Sequence, residues 1–369
     1  MKLEQFTIFK PSIEMDRSFV TSLRRVDRLE TVLIRTRASE GTVGWGEAPI
    51  SPQVTGETPD GVLSALNVIL PDLLGKDPGD REKLHGMMDQ KIAGNTAAKA
   101  AIDISIHDLL GSSWGVPLWK LFGGAYSTNI PTDFTVSLED KSDMIERAGD
   151  LVKRGFTSLK VKLGERPEAD VERLKGIVDT VGKGIGLRID ANQGWNRFEA
   201  ASVLRQLEEM NVEFVEQPLK AEDLEGMKDL RENTSIPIMA DESVHGPDSA
   251  RKVIEFGAAD YINIKLSKTG GFWPALKVAA IAEGANVSCM VGGMSATDLL
   301  ATAASHFAAG QGIVRFRDLD MGTSISNSVI ASGGSYIEGG RRFLESGGGL
   351  GIEEIDREII GPGINDYSV

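Results

Sequence analysis

From Ile130 onward, eight short apolar runs of β character recur at a nearly constant interval, and this recurrence restricts the fold more than any other feature of the chain. The runs cover 130–137, 158–164, 186–192, 212–218, 236–243, 261–268, 286–293 and 313–318, about 25 residues apart from start to start. Such an interval holds one strand and one helix of roughly a dozen residues, the parallel βα unit. Stretches such as 168–180 and 199–209 supply the helical crossovers. Eight units in series predict a closed parallel barrel, with functional groups at the C-terminal ends of the strands. An open doubly wound sheet is the competing topology, but the first βα junction lacks the glycine-rich dinucleotide turn.

Ahead of the barrel, residues 3–9, 29–36 and 43–47 alternate with polar turns such as Glu40-Gly41 and read as a three-stranded antiparallel meander. From Asp60 to about Trp119 the apolar spacing becomes helical. One helix over 61–70 is broken by Pro71 and Pro78; a second, over 97–110, has Asn95 as its N-cap and stops at Gly111. Strands followed by helices predict an α+β domain. After Asp320 the regular spacing ends, and the glycine-rich tail over 332–351 is expected to run back onto that first domain. The fold class expected is α/β, a (β/α)8-type barrel over 126–320, with an α+β domain over 1–125 completed by the segment 321–369.

Charge and cysteine content remove several functions. Forty basic against 54 acidic residues give a formal net charge of −14, which argues against nucleic acid or an anionic membrane as partner. Cys289 is the only cysteine, so an internal disulfide and a thiolate metal site are excluded, and a reducing, cytoplasmic setting is expected. The first 19 residues carry no apolar signal core, and no run of eighteen apolar residues occurs.

Placing this topology under the charged residues puts a set of them on one rim. Lys160 and Lys162 close the second strand; being two apart, they share a face. Asp190, Glu216 and Asp241 close the third, fourth and fifth, and Lys265 and Lys268 the sixth. Three carboxylates without His or Cys are hard oxygen ligands and select Mg²⁺ or a similar ion. Lys265 is expected to pair with one of them. Lys162 and Lys268 then stand on opposite sides of the barrel mouth, with the metal between them. A carbon acid beside a carboxylate becomes acidic enough only if cations hold the carboxylate oxygens, and a lysine serves as base only if its pKa is brought down. Two lysines on opposite faces of one carbon would invert it.

At these positions the chain resembles the enolase superfamily, muconate-lactonizing-enzyme subgroup, through KVK (160–162), DANQGW (190–195), EQP (216–218), ADES (240–243) and NIKLSKTGG (263–271), and, in the first domain, GWGEAP (44–49). The resemblance implies one Mg²⁺ per subunit on Asp190, Glu216 and Asp241. It implies that Lys162 and Lys268 are the acid–base pair, with Lys160 on the substrate carboxylate and Asn192 and Lys265 in support. Within the subgroup the chain is most similar to the dipeptide epimerases: Asp318 and Asp320, both on one face at the end of the eighth strand, match residues that hold a substrate ammonium. An o-succinylbenzoate synthase or a muconate cycloisomerase would use the same lysines, and both remain alternatives. Arg24, in a 19–24 stretch similar to a loop that closes over the site, implies a Glu or Asp side chain on the inverted residue, as in alanyl-glutamate. Murein peptide metabolism and a homo-oligomer are further implications. Val54-Thr-Gly-Glu57 is a family-like run without a derived role. Ala296 and Asp298 depart from the usual pattern, which leaves their effect on specificity open.

Overall fold

The computed structural model describes residues 1–369. The chain begins with β1 (Leu3–Phe9), β2 (Ser12–Val20), β3 (Arg25–Ala38) and β4 (Val43–Pro49), followed by α1 (Pro59–Leu73), α2 (Arg81–Lys91), α3 (Thr96–Trp114) and α4 (Leu118–Leu121). β3 is central in an antiparallel sheet, paired with β1, β2 and β4. The expected meander lacked β2, an edge strand whose SIEMDRSFV sequence is mostly exposed and shows no clean apolar alternation. α2 was not expected either, because only Leu84, His85 and Met88 of its eleven residues are buried, too narrow a stripe to mark a helix.

Helix boundaries differ from expectation at three points. Pro71 does not break α1 but sits in its last turn, two residues before the helix ends at Leu73. Gly111 does not stop α3, which runs on to Trp114 and ends at Gly115 in the left-handed region, φ 65°. Gly111 is small because the tail crosses there: a Cβ on it would lie 2.6 Å from Gly349 Cα. Asn95 occupies the N-cap position, yet its φ is 50° and its side chain caps nothing. Glu57 caps α3 instead, accepting from Ala97 N at 2.9 Å and Ala98 N at 3.2 Å, which gives the 54–57 run a role.

The barrel follows a short strand, β5 (Asn129–Pro131). Its strands are β6 (Phe134–Val136), β7 (Ser158–Lys162), β8 (Gly186–Asp190), β9 (Val212–Glu216), β10 (Ile238–Ala240), β11 (Tyr261–Ile264), β12 (Ser288–Val291) and β13 (Val314–Arg317). They pair in parallel in chain order. Between them lie α5 (Lys141–Lys153), α6 (Pro167–Val181), α7 (Arg197–Leu207), α8 (Leu224–Glu232), α9 (Pro247–Phe256), the one-turn α10 (Leu266–Thr269), α11 (Phe272–Gly284) and α12 (Asp298–Gly310). The architecture is the expected barrel with two corrections. No helix follows β13, so the eighth unit is a bare strand. The seam between β6 and β13 is not a ladder: one backbone bond, Asp133 N to Arg317 O at 3.2 Å, joins them. Arg188 reinforces it by donating to Asp133 Oδ2 at 2.8 Å and Arg317 O at 3.1 Å. Phe214, Met239, Met290 and Phe316 fill the bore below the rim.

The tail forms β14 (Ile330–Gly333), β15 (Ser335–Glu338), β16 (Arg341–Leu344), β17 (Ile352–Ile355), the short α13 (Arg357–Ile360) and β18 (Asn365–Ser368). β16 pairs with β5, which is why the expected first run 130–137 divides into two strands in different sheets. β18 pairs antiparallel with β1. Buried carboxylates bind the first sheet and its helices to the barrel and the tail. Glu47 of β4 accepts from Thr297 N and Leu300 N at the start of α12, and Asp108 of α3 accepts from Trp45 N and Leu350 N. Glu57→Ala is expected to leave two amides of α3 unpaired and to lower the stability of the protein by roughly 1–3 kcal/mol in denaturant unfolding. An unchanged midpoint would show that Glu57 does not cap the helix in solution.

Candidate active site

Strand register builds the site. Lys162, Asp190 and Glu216 are cross-strand neighbours on β7, β8 and β9, so one row of the barrel presents an ammonium and two carboxylates side by side. Asp241 lies one residue past β10, and Lys265 one past β11. Lys268 is not at a strand end, where the sequence placed it, but in α10, fully buried against Asp241. All of these side chains are buried.

Lysine and carboxylate interleave. Lys160 Nζ lies 3.0 Å from Asp190 Oδ2, 2.7 Å from Glu216 Oε2 and 2.8 Å from Asp318 Oδ2. Lys162 Nζ donates to Asp190 Oδ2 at 2.6 Å and Asn192 Oδ1 at 3.1 Å. Lys265 Nζ donates to Asp241 Oδ2 at 2.7 Å, the pairing expected of it, and Lys268 pairs with Asp241 Oδ1. The lysine pair on β7 does share a face, and both ammoniums meet on Asp190.

These neighbours decide the titration behaviour. Burial opposes the charge of Lys160, but Asp190, Asp318 and Glu216 prevail and hold it protonated well above the ordinary lysine range. Lys268 goes the other way: burial, with Lys265 close by, outweighs Asp241 and lowers its pKa, the direction a base requires. Burial also works against ionised Asp190, yet Lys160 and Lys162 bring its carboxyl down to about 2. Glu216 is pushed up to about 7 by burial and by the charge of Asp190.

The residues fit a hard divalent cation. Six carboxyl groups (Asp190, Glu216, Asp241, Glu242, Asp318, Asp320) crowd the rim among four lysines (Lys160, Lys162, Lys265, Lys268), and burial together with neighbouring carboxylates pushes Glu216 up to about 7 and Glu242 up to about 8, a repulsion that a divalent cation would relieve. Glu216 Oε2, although near Lys160, has no aligned hydrogen bond, and Glu242 Oε2 has none either. The carboxylates are not gathered at the spacing of a shared ion, since lysine ammoniums lie between them. Oxygen-only donors of this charge suit Mg²⁺.

Above the rim lies a cleft of ≈ 1090 Å³ open to solvent, onto which Lys162, Asn192, Lys265, Asp318, Asp320 and Arg24 face. Asp318 and Asp320 follow β13, one strand removed from the β11 end that carries Lys265. Asp320 Oδ2 accepts from Thr135 N at 2.7 Å, across the β6–β13 seam, and its carboxyl is raised to about 6 by burial and by Asp318. The 19–24 stretch is the tip of the β2–β3 hairpin, with Phe19 opposite Val26. Arg24 there donates to Ser51 Oγ at 2.7 Å and to Ser295 Oγ at 3.5 Å and makes no ion pair, so its charge is unmatched at the cleft. Ala296 lines the cleft, whereas Asp298 faces away and accepts from Val329 N and Ile330 N of the tail. Burial pushes the Cys289 thiol up to about 12, so it is packed rather than reactive.

Two site residues escaped the sequence reading. Asn263 donates to Glu216 Oε1 at 2.7 Å; it lies two residues before Lys265 on one strand face, a periodicity that could have marked it. Glu242 accepts from Asn192 Nδ2 at 3.2 Å and so steadies the amide that faces Lys162; adjacency to Asp241 was its only signal.

Comparison with known proteins follows the same lines. Residues 143–359 match the family model "Enolase C-terminal domain-like", and residues 4–123 match that of the mandelate racemase / muconate lactonizing enzyme N-terminal domain. An L-Ala-D/L-Glu epimerase of Clostridium acetobutylicum is 39% identical over 359 residues, covering 96% of this chain and all of that one. The substrate-liganded L-Ala-D/L-Glu epimerase of Bacillus subtilis superposes with a TM-score of 0.94 at 37% identity, covering 96% of this chain and all of that one. The Enterococcus faecalis dipeptide epimerase, complexed with Mg and L-Leu-L-Tyr, gives 0.93 at 37% identity with the same coverage.

Titration of Mg²⁺ into the metal-free protein is expected to raise its melting temperature in a concentration-dependent manner, by about 2.7 kcal/mol of stability at one hundred times the dissociation constant. Glu216→Gln should lose most of that rise. Absence of any shift in the unaltered protein would refute the cation site.

Proposed function

The chain belongs to the mandelate racemase / muconate lactonizing enzyme family of the enolase superfamily, and on that premise we propose that it is a Mg²⁺-dependent dipeptide epimerase, an isomerase that inverts the α-carbon of the C-terminal residue. The observation that carries the reading is the acidic pair Asp318 and Asp320, which lines the same cleft as Lys162 and Lys265, with one oxygen of Asp318 held by Lys160. A dipeptide offers an ammonium to that pair and a carboxylate to the lysines. The o-succinylbenzoate synthase and muconate cycloisomerase readings use the same lysines but leave the acidic pair with nothing to bind.

In this reading Asp190, Glu216 and Asp241 hold the Mg²⁺. Bound there, the ion supplies positive charge to the substrate carboxylate while the α-proton is away. Lys160 meets the same carboxylate from below. Lys162 and Lys268 act on opposite faces of the α-carbon, one removing the proton and the other returning it. Asn192, held by Glu242, orients Lys162, and Lys265 offsets the charge of Asp241. Arg24 selects an acidic side chain on the inverted residue, which makes alanyl-glutamate the first substrate to test. The β2–β3 tip borders the cleft through Phe19, Leu23 and Arg24. Division of labour along the chain follows: 1–125 caps, 126–320 catalyses, and 321–369 returns to the cap. A homo-oligomer in the cytoplasm, engaged in murein peptide metabolism and binding neither nucleic acid nor membrane, completes the proposal; the net charge of −14 supports its last part. No helix of the chain is long and apolar enough to cross a membrane.

Incubation with L-Ala-L-Glu and a dipeptide panel in D₂O is expected to carry deuterium into the α-position of the second residue, and no exchange on any dipeptide would refute the activity. Lys162→Ala should abolish inversion while Lys268 still exchanges the α-proton of one epimer. Loss of both exchanges in equal measure would contradict the two-base arrangement. Because Asp320 must be ionised to hold an ammonium and titrates at about 6, the KM for dipeptides should rise as pH falls through about 6. A flat KM between pH 5 and 8 would remove Asp320 from substrate binding.

A further inference from the structure

The turn carrying the acidic pair is held from behind by a residue of the tail. Arg342, on β16, is only 2% exposed. Its Nε donates to Leu319 O at 2.9 Å and its Nη2 to Met321 O at 2.9 Å, the two carbonyls that bracket Asp320. Nη1 is anchored on the hydroxyl of Ser335 at 2.9 Å. Asp298 and Asp320 act on the guanidinium through the field and not by contact. A buried guanidinium with no ion pair is costly, and surface packing alone would not retain one. Its planar fork instead meets two successive outward carbonyls, which a lysine could not span.

The other sides of the turn are held as well. Leu319 N donates to Thr132 Oγ1 at 2.8 Å, and Asp318 N to Val291 O at 2.9 Å. Lys160 holds one oxygen of Asp318, and Thr135 N holds one of Asp320. Each carboxylate therefore keeps one oxygen for the cleft, and Arg342 is the only side chain that fixes the main chain on both sides of Asp320.

We propose that Arg342 is a positioning residue for recognition of the substrate's ammonium group: by clamping Leu319 and Met321 it aims Asp320 at the cleft, so that the C-terminal tail takes part in selecting α-amino dipeptides. The proposal rests on the dipeptide reading above.

Arg342→Met and Arg342→Lys are compared with the unaltered enzyme on L-Ala-L-Glu, and the inhibition constant of N-propionyl-L-Glu, which has the same shape without the ammonium, is measured alongside. The expected result for Arg342→Met is a KM raised roughly ten- to hundredfold with little change in kcat, and an unchanged inhibition constant for the propionyl compound. Arg342→Lys, keeping charge but not the fork, should restore only part of the loss. Ser335→Ala, which removes the far anchor and spares the fold, should move KM in the same direction by less and serves if Arg342→Met does not fold. A further readout, amide hydrogen exchange at Thr135, should speed up in each variant as Asp320 releases that N–H. Equal weakening of both compounds, or a fall in kcat alone, would show a merely structural role and overturn the proposal. Should the unaltered enzyme exchange no dipeptide, the epimerase reading fails separately, and Thr135 then decides: unaltered protection in the Arg342 variants overturns the clamp.

Discussion

Burial of like charges at the mouth of the barrel is the constraint on which the rest of the structure depends. Asp190, Glu216 and Asp241 are each at most 1% exposed, and carboxylates so placed repel one another and have lost their water. They remain only because Lys160, Lys162, Lys265 and Lys268 are threaded among them. A lattice of alternating charges has two consequences. It spreads the titration of its members apart, raising Lys160 and lowering Lys268, so that chemically identical side chains differ in how readily they give up a proton. It also leaves Glu216 and Glu242 pushed up by burial and by neighbouring carboxylates, a repulsion that a divalent cation would relieve.

Such a lattice needs a rigid frame, and the frame is completed from outside the barrel. The β6–β13 seam is held by one backbone bond, by Arg188, and by Thr135 N on Asp320. The acidic pair thus sits where the sheet is weakest in hydrogen bonds, and the tail and the first sheet supply what the ladder does not. Arg342 clamps the 318–322 turn, Glu47 caps α12, and Asp108 joins β4 to the tail. In each case one charged side chain is matched to main-chain groups of a helix start, a turn or a strand edge. The cleft is formed at the meeting of these parts, with Arg24 and Phe19 from the first sheet and Ala296 and Asp320 from the barrel.

Legibility in the sequence followed the strength of the local signal. The eight runs were visible because buried parallel strands are apolar throughout and their crossovers have nearly constant length. Lys160 and Lys162 were readable as one face because strand periodicity is strict. Elements whose order comes from partners elsewhere were not readable. β2 is an exposed edge strand, α2 buries three side chains, and the 130–137 run divides because β16, two hundred residues later, takes β5 for itself. Asn95 looked like a helix cap, yet Glu57, forty residues earlier, does that work through a carboxylate that nothing local announced.

By itself, then, the order of residues determined the repeat of strand and helix, the rim on which Lys162, Asp190, Glu216, Asp241 and Lys268 fall, and the hard-oxygen character of their chemistry. All three follow from periodicity and side-chain type, which are local properties. Only tertiary structure decided which lysine meets which carboxylate, that Lys268 arrives on a helical turn, that Asp298 serves the tail while Ala296 lines the cleft, and that Arg342 stands behind Asp320. The physical reason is distance: the energy of a buried charge is set by groups within a few ångströms, and in this chain those groups come from strands, a cap and a tail as much as 253 residues apart.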